Sequence, residues 1–248
     1  MDLYGLIGKP LSHSFSKKYF TEKFDNEGIS AKYELFPLET IEELPELIRL
    51  NPDLKGLNVT IPYKQSVNPY LSEIDKVARI IGAVNTIKIK RKNGKPYLIG
   101  YNTDAIGFEQ TLKSILKKEK HPKALILGTG GSANAVRYVL RKHGIFFRSV
   151  SRTGLKSEQI TYPMITKSTM CFYKLIINTT PLGMYPNISE APDIMYDTIN
   201  MNHILIDLIY NPEETLFLQR GKQYGAKTVN GMQMLMSQAE ASWKIWNK

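Results

Sequence analysis

Apolar residues along this chain follow two alternating rhythms. Short apolar blocks, mostly closed by Gly, Pro or Asn, read as strands: LYGLIG (3–8), AKYELFPL (31–38), GLNVTIP (56–62), AVNTIKIK (83–90) and YLIGYNTD (97–104). A later set is ALIL (124–127), IFFRSVSRT (145–153), KLIIN (174–178), HILIDLIY (203–210) and AKTVNG (226–231). Between them apolar residues recur at helical spacing, as at Phe15, Tyr19, Phe20 and Phe24 of segment 14–28. Helices are also predicted at 41–50, near 74–81, at 106–118, after ALIL up to Gly144, and at 232–246. Gly28 and Gly225 suit helix ends. Asn211 is predicted to cap a helix with Pro212 at its first position and Glu213 and Glu214 in its first turn. Segment 154–172 gives little signal. Strand–helix alternation of this kind predicts βαβ units, a mostly parallel sheet and an α/β fold, with a second unit starting after a polar connection.

Bulk composition narrows the class. The chain has 248 residues, 42% hydrophobic and 23% charged, which excludes disordered, collagen-like and repeat classes. The longest apolar runs are far too short to span a bilayer. The start, MDLYGLIGKP, lacks the basic and apolar regions of a secretory signal. Cys171 is the sole cysteine, which excludes an intrachain disulfide and fits a soluble, cytoplasmic protein. The net charge of +10 has three readings: nucleic-acid binding, attraction of small anions, and solubility. Scattered lysines and the lack of aromatic–basic interleaving favour solubility, and neither nucleic acid nor membrane is expected as a partner. Asn93–Gly94 predicts a hairpin turn, which would place the lysines of KIKRKNGK (88–95) on a solvated edge; EKHPK (119–123) reads as a turn.

Chemistry concentrates at strand ends. GTGGSA (128–133) follows ALIL and opens a helix, the G-x-G-x-x-A form of the dinucleotide fingerprint. Gly128 allows the tight turn, Gly130 lets a pyrophosphate approach the backbone, and Ala133 lets the helix pack closely; a purely structural glycine turn is the alternative. The next strand ends in Ser151–Arg152–Thr153, and an arginine there suits a 2′-phosphate, hence NADP; a surface arginine is the alternative. In SHSFS (12–16), Ser14 and Ser16 would face one way from an extended segment and could hold a carboxylate, or they could cap the following helix. His13 reads as structural. NVTIPYK (58–64), GAVNT (82–86) and GYNTD (100–104) carry Lys64 and Asp104, the one pair among them able to exchange protons. A solvated lysine and a helix-capping aspartate are the alternatives.

Taken in order, IGKPLSHSFS, NVTIPYK, GAVNT, GYNTDAIGF, LGTGGSANA, SRT, NTTPLGM, DLIYNPEET and NGMQMLMSQA resemble the shikimate dehydrogenase family over nearly the whole chain. The resemblance implies an NADP-dependent oxidoreductase that reduces 3-dehydroshikimate to shikimate in aromatic amino-acid (chorismate) biosynthesis. It implies Ser14 and Ser16 on the substrate carboxylate, Thr60, Asn85, Asp104 and Gln238 on ring hydroxyls, and Tyr210 also on the substrate. Lys64 would be the catalytic acid/base with Asp104 as its partner. Gly128, Thr129, Gly130, Gly131 and Ser132 would take the pyrophosphate, and Ser151, Arg152 and Thr153 the 2′-phosphate. Asn178, Thr179, Thr180, Leu208 and Gly231 would lie along the cofactor. No metal is implied. The implied architecture is an N-terminal α/β substrate domain, 1–104, joined by the C-terminal helix 232–248, and a Rossmann-like NADP-binding domain, 105–231, with an active-site cleft between them, in a monomer or homodimer. Ser151 stands where the family commonly has Asn, Gln233 where it has Gly, and Phe15 with Ser16–Lys17 where Ser-Pro is frequent. A quinate/shikimate dehydrogenase with relaxed substrate or cofactor choice, and an idle NADP-sensing protein, are the rival readings.

Overall fold

A computed structural model describes residues 1–11, 14–116, 122–153 and 159–248. His13 and most of the 119–123 turn fall outside these residues. The chain divides into two compact units, Met1–Thr103 with Gln238–Lys248, and Asp104–Ser237.

The first unit holds a six-stranded mixed sheet: β1 (Asp2–Gly8), β2 (Ala31–Pro37), β3 (Leu54–Val59), β4 (Glu73–Ile74), β5 (Thr86–Lys92) and β6 (Lys95–Tyr101), in the order β2-β1-β3-β5-β6-β4. Helices α1 (Phe15–Glu27), α2 (Leu44–Leu50) and α3 (Lys76–Ile81) connect the strands. The expectation of a mostly parallel sheet holds only for part of this unit. β5 runs antiparallel to both β3 and β6, because the β5–β6 link is a two-residue hairpin with Asn93 and Gly94 at φ 52° and 77°, too short for a crossover. That pairing also corrects the view of Lys88. β5 is interior, so Lys88 is buried, its Nζ donates to the Ile245 carbonyl at 3.0 Å, and burial lowers its pKa.

One face of this sheet packs Ile7, Leu44, Leu54, Leu57, Val67 and Ile87 into a core. The other receives α1 and α8 (Met232–Trp246), whose aromatic residues close on Tyr4, Phe20, Phe24 and Tyr33. Trp246 lies so close to Gly56 that a Cβ there would collide with the indole, and its Nε1 donates to the Ile87 carbonyl at 3.0 Å.

The second unit is an all-parallel sheet of β7 (Ala124–Leu127), β8 (Phe147–Ser151), β9 (Gln159–Thr161), β10 (Leu175–Asn178), β11 (Ile204–Asp207) and β12 (Lys227–Val229). Its order, β12-β11-β10-β7-β8-β9, is the doubly wound order with the switch point between β7 and β10. The strands β7, β10 and β11 are almost wholly buried, which explains their continuous apolar sequence. Helices α4 (Asp104–Ile115), α5 (Gly131–Lys142), α6 (Lys167–Phe172) and α7 (Leu216–Gln223) complete the unit. The predicted start of α7 is corrected. Asn211 does not cap it; Thr215 does, with its Oγ1 accepting from the Leu218 N–H at 3.4 Å, because the same hydroxyl is anchored on Asp207.

The α4 and α5 helices are pinned by charge. Glu109 binds Lys113 at 3.0 Å, Lys142 at 2.8 Å and His143 Nε2 at 2.9 Å. Partial burial alone would raise its pKa, but the hydrogen bonds from Lys142, Lys113 and His143 outweigh it and hold the carboxyl at about 2. A depressed carboxylate pKa stabilises the fold above the unfolded value, about 4.3, and that contribution is lost as pH falls toward 2. Glu109→Gln is expected to lower stability by about 1–3 kcal/mol at pH 7. Urea unfolding of both forms should show this difference shrinking between roughly pH 4.5 and pH 2.

Candidate active site

In the first unit, the carboxyl ends of β1, β3 and β6 and the start of β5 meet at one sheet edge. This edge gathers the polar segments singled out in the sequence. The loops after β1 and β3 touch: a Cβ at Gly8 would collide with Thr60, and the Lys9 N–H donates to the Ile61 carbonyl at 3.0 Å. Strand β3 ends at Val59, earlier than predicted, so Thr60 and Lys64 lie in the turn that follows, both half-buried. The Val84 N–H donates to the Lys64 carbonyl at 2.7 Å, which fixes the lysine's backbone beside GAVNT.

Ser14 and Ser16 do not share an extended segment. The helix α1 begins at Phe15, so Ser14 is its N-cap residue and Ser16 lies in its first turn. Ser14 is extended at φ −76°, ψ 115°, yet makes no side-chain cap bond. Its half-buried hydroxyl is therefore not spent on closing the helix. Ser16 hydrogen-bonds to Tyr33, whose hydroxyl burial pushes to a higher pKa and this bond pulls back down.

Asn85 is buried and does structural work as well. Its Oδ1 accepts from the Thr103 N–H at 2.7 Å and its Nδ2 donates to Thr103 Oγ1 at 2.9 Å. Gln238 of α8 joins it, with Oε1 3.5 Å from Asn85 Nδ2 and 3.4 Å from Thr103 Oγ1. Below them Asn58, Thr86 and Ser242 continue the network, with Asn58 Nδ2 3.0 Å and Thr86 Oγ1 2.8 Å from Ser242 Oγ. The Tyr33 hydroxyl donates to Asn58 Oδ1 at 2.8 Å. A buried network of this size is stable only when its members are satisfied, and it then fixes side-chain orientation. Sequence reasoning did not single out Asn58, Thr86, Thr103 or Ser242 individually. The next residue, Asp104, is buried and opens α4.

In the second unit the predicted residues lie at or just beyond the carboxyl ends of the strands, with the loops after β7 and β10 at the switch point. Gly128 has φ +112°, and a Cβ there would stand 2.6 Å from Thr179 Oγ1, so the loops after β7 and β10 pack against each other. A Cβ on Gly130 would meet nothing within 4 Å. The N-terminus of α5, starting at Gly131, is therefore open to an approaching anion, while Ala133 is fully buried against the sheet. Thr179 Oγ1 donates to the Leu127 carbonyl at 2.7 Å. The Leu208 N–H donates to the Asn178 carbonyl at 3.0 Å, and the Gly231 N–H to the Ile209 carbonyl at 2.9 Å. A Cβ at Gly231 would collide with the Leu208 carbonyl, so glycine is required there. Tyr210 is half-buried in the same loop. Ser151 Oγ donates to the Thr153 carbonyl at 2.8 Å, closing a tight turn that presents Arg152 to solvent. This set fits a dinucleotide: a glycine approach, helix N–H donors and a cation beyond the second strand. Among the described residues, no group of His, Cys, Asp and Glu could hold a metal ion, and no helix is long and apolar enough to cross a membrane.

Residues 6–87 match the profile of the shikimate dehydrogenase substrate binding domain. A relative from Clostridium beijerinckii, a shikimate dehydrogenase (NADP(+)), is 41% identical over 100% of this chain and 93% of its own length. The chain belongs to the shikimate dehydrogenase family. A second family member, a shikimate dehydrogenase (NADP(+)) from Methanococcus aeolicus, is 38% identical over 98% of this chain and 91% of its own length. The crystal structure of shikimate dehydrogenase 1 from Peptoclostridium difficile superposes with a TM-score of 0.88 at 39% identity, covering 100% of this chain and 92% of that one. The two-part architecture is thus that of the shikimate dehydrogenase family.

Proposed function

We propose that this chain reduces 3-dehydroshikimate to shikimate reversibly, with NADPH as reductant, serving aromatic amino-acid biosynthesis. The observation that carries the reading is a likeness over 98% or more of this chain to NADP-dependent shikimate dehydrogenases. The first unit is read as the substrate domain and the second as the nucleotide domain. Ser14 and Ser16 bind the substrate carboxylate, and Thr60, Asn85, Asp104, Gln238 and Tyr210 bind its hydroxyl side. The network through Thr103 and Ser242 holds Asn85 and Gln238 in fixed orientation. Gly128, Thr129, Gly130, Gly131 and Ser132 hold the pyrophosphate, Ser151, Arg152 and Thr153 the 2′-phosphate side, and Asn178, Thr179, Thr180, Leu208 and Gly231 the rest of the nucleotide. When bound, NADPH supplies the hydride. Lys64, as an ammonium, stabilises the developing alkoxide at C3 and gives it a proton, with Asp104 read as its catalytic partner.

The deciding assay is growth of NADPH absorbance from shikimate and NADP, repeated with quinate and with NAD. Turnover of shikimate with NADP well above the other three pairings is expected. Equal turnover of quinate or NAD would favour the relaxed-specificity reading, and no turnover would sink the enzyme reading. Ser14→Ala and Ser16→Ala are each expected to raise KM for shikimate about 10–150-fold, from loss of one charge-assisted hydrogen bond of roughly 1.5–3 kcal/mol. A lower melting temperature with unchanged KM would mean instead that the serines serve helix α1.

A further inference from the structure

The acidic residue inside the apolar run HILIDLIY takes no part in the chemistry above, yet its surroundings are specific. Asp207 ends β11 and is fully buried. Its Oδ1 accepts from Asn178 Nδ2 at 3.1 Å and from the Ile209 N–H at 3.0 Å, and its Oδ2 accepts from Thr215 Oγ1 at 2.6 Å. One carboxylate thus ties the end of β10, the loop after β11 and the start of α7. The chain of bonds continues outward. Asn178 Oδ1 accepts from the Thr180 N–H at 3.0 Å and from Thr180 Oγ1 at 2.7 Å, and Thr180 Oγ1 accepts from the Leu182 N–H at 3.3 Å. Every member lies at the carboxyl edge of the parallel sheet, where open α/β sheets hold their ligands.

We infer that Asp207 is a positioning residue for nucleotide binding, acting through Asn178 and Thr180 to hold segment 178–182 in its binding shape. The inference rests on the NADP reading above. Its electrostatics support it. Burial pushes the Asp207 carboxyl up to about 6, against the opposing bonds from Thr215, Ile209 and Asn178. A raised carboxyl pKa makes the ionised form a cost to folding, a cost absent below the unfolded value near 4 and complete above 6. The charge therefore lowers the folded state's stability at neutral pH while supplying the acceptors that order the loop.

The test is Asp207→Asn, which keeps shape and one acceptor oxygen but removes the charge. Wild type is assayed first with shikimate and NADP. The variant is expected to raise KM for NADP about 5–20-fold and leave KM for shikimate within 2-fold. Its melting temperature at pH 7.5 should equal or exceed that of wild type. Hydrogen exchange at the Thr180 and Leu182 amides should accelerate, with the core of β7 and β10 unchanged. A variant with wild-type KM for NADP overturns the inference alone, while one that melts lower with both KM values unchanged, or that fails to fold, makes Asp207 a structural residue and overturns it too. If wild type binds NADP no better than Asp207→Asn and shows no turnover, the underlying reading falls and the inference with it.

Discussion

Lys64→Ala is expected to lose about 10²–10⁴-fold in kcat while keeping shikimate binding within a few fold. The lysine stands in the turn after β3, and its backbone is clamped by the Val84 N–H. The residue is half-buried, at the polar sheet edge and outside the apolar core. A proton donor acts on charge that exists mainly in the transition state, so its removal lowers kcat more than it weakens binding. Steady-state kinetics with shikimate varied at saturating NADP separates the two effects. Near-normal kcat with a raised KM would show that Lys64 only binds substrate. Asp104→Asn should lower kcat as well, and by less than the double variant only if the two groups act independently; equal losses in single and double variants would mark them as one unit.

Arg152→Ala is expected to lower kcat/KM for NADP about 10–150-fold and leave the weak activity with NAD nearly unchanged. Beyond β8, the Ser151–Thr153 turn presents the arginine at the surface. The guanidinium also lies near enough to Tyr162 to oppose the rise that burial imposes on that hydroxyl's pKa. No acidic residue occurs at 151–157 to repel a phosphate or grip a free 2′-hydroxyl. Lys156, outside the described residues, is close enough in sequence to compensate in part, so the double variant should be worse than the single. Equal losses with NAD and NADP would assign Arg152 to the adenine or to the fold, and a wild type that prefers NAD would end the NADP assignment.

The strands and most helices of both units were legible in the sequence because their cues are local. ALIL followed by GTGGSA announces strand, turn and helix in ten residues, and Gly28 and Gly225 mark helix ends. The misreadings arise where tertiary partners decide. Lys88 looks like a solvated lysine in a charged hairpin, and only the interior place of β5 shows that it is buried. Asn211–Pro212 is a fair helix start by local rules, but Thr215 wins the cap because Asp207 anchors its hydroxyl. Ser14 and Ser16 look like an extended pair until α1 begins between them. The polar network of Asn58, Thr86, Thr103 and Ser242 joins residues far apart in the chain and has no periodicity to betray it. Asp207 could have been suspected, since one acid within an apolar strand must find buried donors.

The division of the first unit between Met1–Thr103 and Gln238–Lys248 has a consequence for how the chain is made. During synthesis, residues 1–103 emerge with Asn58, Thr86 and Thr103 lacking Ser242 and Gln238, and with the sheet surface at Gly56 not yet covered by Trp246. The second unit's strands are complete by Val229, ahead of that segment in the chain. Domains generally fold in the order they emerge, and here that order is inverted: the part begun first is finished last. Nascent chains are thus left with unmet polar groups and uncovered sheet surface at Gly56 until Gln238–Lys248 is translated, so a chain stopped at Ser237 is expected to carry a complete second unit beside an unfinished first one.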